Sequence, residues 1–440
     1  MQSFSQIVQN IRTTSVNAKQ AGTKFEILVL RWFMATPLYM VKRGWLWADF
    51  AKAVGKDAND LGIDLVLEMH DGEFWAVQCK FYCKSSRIDE DKIAHFLGHQ
   101  GMKFTIDRKS RTFTRFVWVD TDAVWGRNAE KYVHGRDKFT RLSMSVLANS
   151  NVNWDAIVKG NKANAEPKKP RDYQKEIIHK AEAHFKNNER GKVIMACGTG
   201  KTLTSQRIAE AVAGTCGTLI LYCVPSIALL GQTYQSWAEN AQHAPEDTQV
   251  APLFAIGVCS DNRALEKTDH TGEATIDSPL PATTSVTAVC ERILAARQMQ
   301  KEGMSVIFTT YQSLQVVADA QQMVLDETDG TFGVFDMIIC DEAHRTTGAA
   351  KDGFESSFMK IHDNGFIQAK KRLYMTATPR IYTVNAKSEA KKAASDAVVC
   401  SMDDAATYGE EIARIRTQIR LQVLLLRRQR LRQSLLLLRP

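Results

Sequence analysis

Two periodicities of apolar residues divide this chain. In its first third the apolar positions alternate with polar ones, as in strands buried on one face. Over 63–67, Ile63, Leu65 and Leu67 share one face and Asp64 takes the other. Over 74–82, Val77, Cys79 and Phe81 share a face, with Gln78 and Lys80 opposite. The run 113–119 (Phe-Thr-Arg-Phe-Val-Trp-Val) predicts a further strand after a helical stretch near 88–99. Beyond residue 190 the pattern changes to short, continuous apolar runs: Val193–Met195, Leu219–Val224 and Met337–Cys340. Such runs predict strands covered on both faces, as in a parallel sheet flanked by helices.

Between these regions, 159–170 is polar, basic and ends in proline, which predicts a linker. The expected layout is therefore an α/β domain over 1–158, a linker over 159–170, and a parallel-sheet domain over 171–410. Residues 261–285, rich in Asp, Thr, Ser and Pro, read as a surface insertion. A Leu/Arg-rich tail of different character follows over 411–440.

Four short blocks carry the chemistry of the second domain. They are Met-Ala-Cys-Gly-Thr-Gly-Lys-Thr at 195–202, Val-Pro-Ser at 224–226, Asp-Glu-Ala-His at 341–344 and Thr-Ala-Thr-Pro at 376–379. The first three directly follow the apolar runs. A glycine-rich loop between strand and helix aims backbone N–H groups at phosphate oxygens, and a lysine adds positive charge. A carboxylate ending a neighbouring strand can hold Mg²⁺ against the β- and γ-phosphates. Each block alone is a weak signal, and Met195 stands where the strict loop pattern wants a glycine. Their order and strand context together point to a nucleoside-triphosphate motor.

These blocks resemble those of superfamily 2 DEAD/DEAH-box helicases, and more closely the motors of restriction enzymes. The resemblance implies a RecA-like fold binding ATP and Mg²⁺. Gly198, Thr199, Gly200, Lys201 and Thr202 would take the phosphates and the metal. Asp341 would hold Mg²⁺ through water, and Glu342 would polarise the attacking water. Gln174, in Arg-Asp-Tyr-Gln, would read the adenine; alone, it also fits a surface residue opening a helix. Ser226, Thr233 and Thr310 match nucleic-acid-gripping blocks, though each also fits an ordinary capped helix start. His344, Thr376 and Thr378 would relay nucleotide state to the DNA track.

In the first domain, pairing of 63–67 with 74–82 would bring Asp64, Gln78 and Lys80 to one spot. Two oxygen ligands for Mg²⁺ and an ammonium facing a phosphate make a workable site for phosphodiester hydrolysis. From spacing alone, an amphipathic hairpin with a solvated polar face fits equally well. The wording resembles the Asp…(Glu/Gln)-x-Lys core of PD-(D/E)XK nucleases, in the glutamine variant found in Mrr-like restriction endonucleases. Residues 22–26 (Gly-Thr-Lys-Phe-Glu) resemble that family's first helix, which implies a metal-site role for Glu26. His70, His95 and His99 show no metal spacing and read as solvated or core residues. Cys79 and Cys83 lack the second pair that a zinc site needs.

Nine unpaired-looking cysteines fit reduced thiols and a cytoplasmic location. No run of about 18 apolar residues exists, which argues against a membrane span. The net charge of +8 is misleading as a DNA signature, because residues 411–440 hold eight arginines and one acid. The remainder is close to neutral.

Longer phrases, among them Cys-Asp-Glu-Ala-His-Arg-Thr-Thr-Gly at 340–348, resemble type ISP restriction-modification enzymes over residues 1–410. In those single chains a nuclease and motor precede methyltransferase and target-recognition parts. The resemblance implies double-stranded DNA as partner. It also implies that a second motor lobe should follow Tyr408-Gly409-Glu410-Glu411, where this sequence changes character. The expectation is a shifted reading frame there, with poor ATP turnover by the chain alone; a basic amphipathic helix is the other reading. A partner in trans would then supply the second lobe, methyltransferase and target recognition. The expected function is Mg²⁺-dependent DNA cleavage coupled to ATP-driven translocation. The competing readings are a helicase-like ATPase without nuclease activity and an inactive ATP- and DNA-binding relic.

Overall fold

The computed structural model describes residues 2–36, 39–57, 61–70, 72–82, 86–121, 124–133, 136, 138–150, 152–161, 168–241, 253–259, 282–299, 303–349, 358–383 and 399–415. Most of the expected insertion, the middle of the expected linker, and the tail from 416 onward lie outside the described residues.

The N-terminal domain is a five-stranded sheet built from β1 (Val41–Leu46), β2 (Leu65–Met69), β3 (Phe74–Lys80), β4 (Arg115–Asp120) and β5 (Phe139–Leu142), in that order. β1, β2 and β3 pair antiparallel, while β4 and β5 continue parallel to β3. The alternation read from the sequence sets the two faces. Leu65, Leu67, Val77 and Cys79 pack with Phe25, Leu28 and Val29 of helix α1 (Ala18–Ala35). Val66, Phe74, Ala76 and Trp118 pack on the other face with Ile93 and Phe96 of helix α2 (Glu90–Leu97). Ile63 departs from expectation. It joins this second cluster, opposite Leu65 and Leu67, because Gly62 turns the chain with φ +68° and β2 begins only at Leu65.

The second domain is an eight-stranded sheet of β6 (Arg190–Met195), β7 (Thr218–Val224), β8 (Leu253–Val258), β9 (Ala282–Thr283), β10 (Met304–Thr310), β11 (Met337–Cys340), β12 (Arg372–Thr376) and β13 (Glu410–Ile415). Its order is β9-β8-β10-β7-β11-β12-β6-β13, and every pairing is parallel. Successive residues of β7 enter different cores: Ile220, Tyr222 and Val224 on one side, Leu219, Leu221 and Cys223 on the other. This explains the continuous apolar run, since neither face meets water.

β13 carries the sheet past the boundary expected at 410, so Glu411–Ile415 belong to the motor fold and not to the aberrant tail. Three cations hold this end of the chain. Lys192 donates to Gly409 O (2.9 Å), and Arg190 donates to Thr407 O (2.8 Å) and His362 O (2.7 Å). Arg372, only 2% exposed, donates to Ile361 O and Ile367 O at 2.9 and 2.7 Å. Carbonyl oxygens thus replace the solvent these charges lost.

His362 is enclosed in the same region, its ring nitrogens at 3.0 Å from the Tyr374 hydroxyl and 3.2 Å from Thr346 O. Burial pushes its pKa down to about 4. The folded value lies below the ordinary one near 6.5, so this contribution is complete above pH 6.5 and is lost as pH falls toward 4. Denaturant titrations of the parent should lose on the order of 3 kcal/mol to this group across that window. The His362→Gln variant should show a correspondingly flatter pH dependence.

Candidate nuclease and nucleotide sites

The β2–β3 ladder assembles the first site. Leu65 pairs with Val77, and the Asp64 N–H donates to Val77 O at 2.9 Å, which extends the ladder one residue further and sets Asp64 beside Gln78. The Asp64 carboxylate accepts the Cys79 N–H at 2.7 Å, which fixes its direction. Gln78 is 4% exposed, and its Oε1 is buried without a hydrogen-bond partner. A buried orphaned carbonyl oxygen beside a carboxylate is costly unless something binds it, and it suits a hard divalent cation.

Glu26 reaches this site from α1. Its carboxyl is raised to about 7, first by burial and then by the nearby Asp64, with Lys80 pulling it back. Asp64, Gln78, Lys80 and Glu26 are therefore brought together, as the sequence led one to expect. Among the described residues, no group of three His, Cys, Asp or Glu forms a metal cluster, consistent with glutamine in place of a second carboxylate on β3. His95 on α2 was read as a bystander. It lies against Gly62 beside Gln78: a Cβ at Gly62 would meet His95 Nδ1 at 3.0 Å and Gln78 Nε2 at 3.3 Å. Only the fold brings it there.

The second site forms where the parallel strands end. After β6 the chain passes through Gly198 and Gly200, at φ +76° and +84°, into helix α3 (Lys201–Ala213). The Gln174 amide braces this turn. Its Oε1 accepts from Arg171 N (2.9 Å), while Nε2 donates to Thr204 Oγ1 (2.9 Å) and Gly200 O (3.2 Å). Tyr173 adds a hydroxyl bond to Thr199 O at 2.8 Å. Gln174 is 3% exposed, so reading an adenine would require exchanging these bonds.

Lys201 lies 3.1 Å from Glu342, whose other oxygen is 3.4 Å from His344 Nδ1. His344 in turn meets Thr376 Oγ1 at 2.9 Å, and the same hydroxyl accepts the Thr378 N–H at 3.2 Å. One chain of contacts thus runs from the phosphate loop through the Asp-Glu-Ala-His block to Thr-Ala-Thr-Pro. Glu342 adopts φ +48°, an unusual conformation for a non-glycine residue. Asp341 is raised to about 6, chiefly by burial and then by Glu342, with Lys201 opposing. A cation at this carboxylate would restore its charge, which fits Mg²⁺. Thr202 opens α3 beside Lys201.

The nucleic-acid candidates divide. Ser226 is exposed and caps helix α4 (Ile227–Asn240), its Oγ accepting from Leu229 N. Thr233 and Thr310 are 3% and 2% exposed, and the Thr310 hydroxyl donates to Ser313. Both face the interior because they lie on the packed sides of their elements. Only Ser226, with the exposed Gln232 one turn along, is placed to touch a ligand in this conformation.

With both sites described, similarity to known proteins becomes informative. A family described as "Restriction endonuclease" matches residues 36–164, and one described as "Type III restriction enzyme, res subunit" matches 167–381. The ATP-dependent type ISP restriction-modification enzyme LlaBIII bound to DNA is 32% identical, with a TM-score of 0.71 over 94% of this chain. The chain belongs to the type ISP restriction-modification family. It spans 25% of the LlaBIII chain. A nuclease-deletion mutant of the type ISP enzyme LlaGI, in complex with a DNA substrate mimic, is 36% identical over 58% of this chain and 20% of its own, with a TM-score of 0.42. No curated protein matches significantly. Among the described residues no helix is long and apolar enough to cross a membrane.

The phosphate loop yields a direct test. A Cβ at Gly200 would lie 2.7 Å from Gln174 Nε2 on a left-handed backbone. Gly200→Ala should therefore cost roughly 1–2 kcal/mol of stability. Equilibrium binding of a fluorescent ATP analogue should weaken at least about tenfold, since 1.4 kcal/mol is a factor of ten.

Proposed function

We propose that this chain cuts double-stranded DNA with its N-terminal domain and binds ATP–Mg²⁺ with its motor domain, the two acting together in DNA restriction. The observation that carries the reading is the convergence of Asp64, Gln78 and Lys80 at the end of one hairpin, with the Gln78 oxygen buried and unpartnered. Mg²⁺, when bound, supplies charge neutralisation and an activated water. Asp64 and Gln78 Oε1 would hold it, with Glu26 joining as it ionises near neutral pH. Lys80 stabilises negative charge developing on the scissile phosphate.

In the motor domain, Gly198–Thr202 cradle the phosphates and Lys201 exchanges Glu342 for phosphate oxygens. That exchange releases Glu342 to orient the attacking water, while Thr202 and Asp341 face the metal. His344, Thr376 and Thr378 pass the change to the DNA-facing side near Ser226. Duplex DNA is the proposed track, supported by the DNA complexes of the type ISP relatives. The eight free cysteines among the described residues support a reducing compartment, the cytoplasm. One observation favours a second reading, a motor without cleavage: the metal site lacks a three-acid cluster among the described residues.

A supercoiled-plasmid nicking assay separates the two readings. The parent should nick in Mg²⁺ and not in EDTA. Asp64→Ala and Lys80→Ala should each lose roughly 10²-fold or more, the scale of removing one electrostatic stabiliser. Lys201→Ala should lose ATP binding and keep its Mg²⁺-dependent nicking. A parent that never nicks, or a Lys80→Ala that nicks like the parent, would leave the motor reading standing.

A further inference from the structure

Between α2 and β4 the chain makes a two-stranded antiparallel ribbon, Lys103–Ile106 paired with Lys109–Thr112. Its ten residues contain four bases (Lys103, Arg108, Lys109, Arg111) and one acid, Asp107. Lys103, Arg108 and Lys109 are exposed, together with Thr105, Ser110 and Thr112. The folded part of the chain is otherwise close to electrically neutral, so this is a local concentration of positive charge.

Three features distinguish the ribbon from an ordinary solvated hairpin. Its root is fixed, because the Phe104 ring lies 5.1, 5.2 and 4.9 Å from Phe50, Phe74 and Phe113. Its one acid is engaged internally, since Arg43 bridges Asp107 and Glu68 on β2. Its tip is strained: Asp107 and Arg108 both have positive φ, +50° and +63°. A two-residue turn of that kind favours Asn-Gly or Asp-Gly, yet here the second position presents a guanidinium at the apex.

The ribbon also stands in a defined relation to the cutting site. Phe104 packs in the cluster holding Phe74 and Ala76, on the β3 face that continues to Gln78 and Lys80. The root is at Phe74, where Thr114 N donates to Phe74 O at 2.9 Å. Lys80 lies six residues along the same strand, about 20 Å at ~3.3 Å per residue. That equals roughly six base-pair steps of ~3.4 Å along a duplex.

We propose that the Lys103–Thr112 ribbon is a DNA-docking element of the nuclease domain, its cations and hydroxyls gripping the phosphate backbone of a duplex about half a helical turn from the scissile bond. A two-stranded ribbon fits a duplex groove, and lysine, arginine and hydroxyl donors contact phosphates without reading sequence. The inference rests on DNA being the substrate of this domain and adds where the duplex is held.

Duplex binding by the full chain, measured by fluorescence anisotropy across a salt series, tests it. Each phosphate contact contributes about 0.9 to the slope of log affinity against log salt. Arg108→Gln/Lys109→Gln should lower the magnitude of the slope by about 2 and weaken binding several-fold or more at low salt. Lys175→Gln/Lys180→Gln, on the exposed face of a motor helix, should leave the slope unchanged. Asp64→Ala should abolish nicking while keeping the parental slope. An unchanged slope in the ribbon variant, with a parental melting curve, would overturn the docking role. A parent that binds through the ribbon and never nicks would instead overturn the cleavage reading alone.

Discussion

The continuous parallel ladder from β7 through β11 and β12 to β6 forces four strand ends to one edge of the sheet. Ile220 to Cys223 pair with Met337 to Cys340, and Ile338 to Cys340 pair with Arg372 to Tyr374. β6 then pairs with β12 from Arg190–Arg372 to Ile194–Thr376. Since all four strands run the same way, the loops after Met195, Cys340 and Thr376 must open side by side. Lys201, Glu342, His344 and Thr376 can touch only because that register holds. A slip of one residue in β11 would reverse which side chains face each core and move Asp341 away from the phosphate loop.

The same logic, with opposite strand polarity, makes the nuclease site. β2 begins where β3 ends, so Asp64 and the Gln78–Lys80 segment lie at one end of an antiparallel pair. Gly62 and Asp64 lie outside the strand proper, and that short irregular stretch directs the carboxylate back to the Cys79 N–H. The two sites therefore share a design: rigid ladders bring polar groups to a strand end, where the backbone stops pairing with itself and can face a ligand.

Electrostatic tension marks both sites. Glu26 and Asp341 are each raised by burial and by a neighbouring carboxylate. Lys80 and Lys201 offset part of that cost. In the nucleotide site the opposing charges satisfy one another through the Lys201–Glu342 pair. In the nuclease site the Gln78 oxygen remains unpartnered. The first arrangement resembles a device closed until a phosphate displaces one partner, and the second a socket shaped for a cation.

The linear sequence determined a great deal by itself. Glycines flanking Thr199, the Asp341-Glu342 dipeptide after a buried run, and the alternation around Gln78 and Lys80 are local signals, dictated by strand and loop geometry. They survive without knowledge of the partners across the sheet. Contacts between distant segments were not legible in this way: His95 beside Gln78, Gln174 bracing the phosphate loop, Arg372 enclosed among carbonyls, and the membership of Glu411–Ile415 in the motor sheet. Nor was the inward orientation of Thr233 and Thr310. Each depends on which face of an element packs against a neighbour more than ten residues away. Spacing along a chain records the period of one element, whereas tertiary packing chooses its rotation and neighbours.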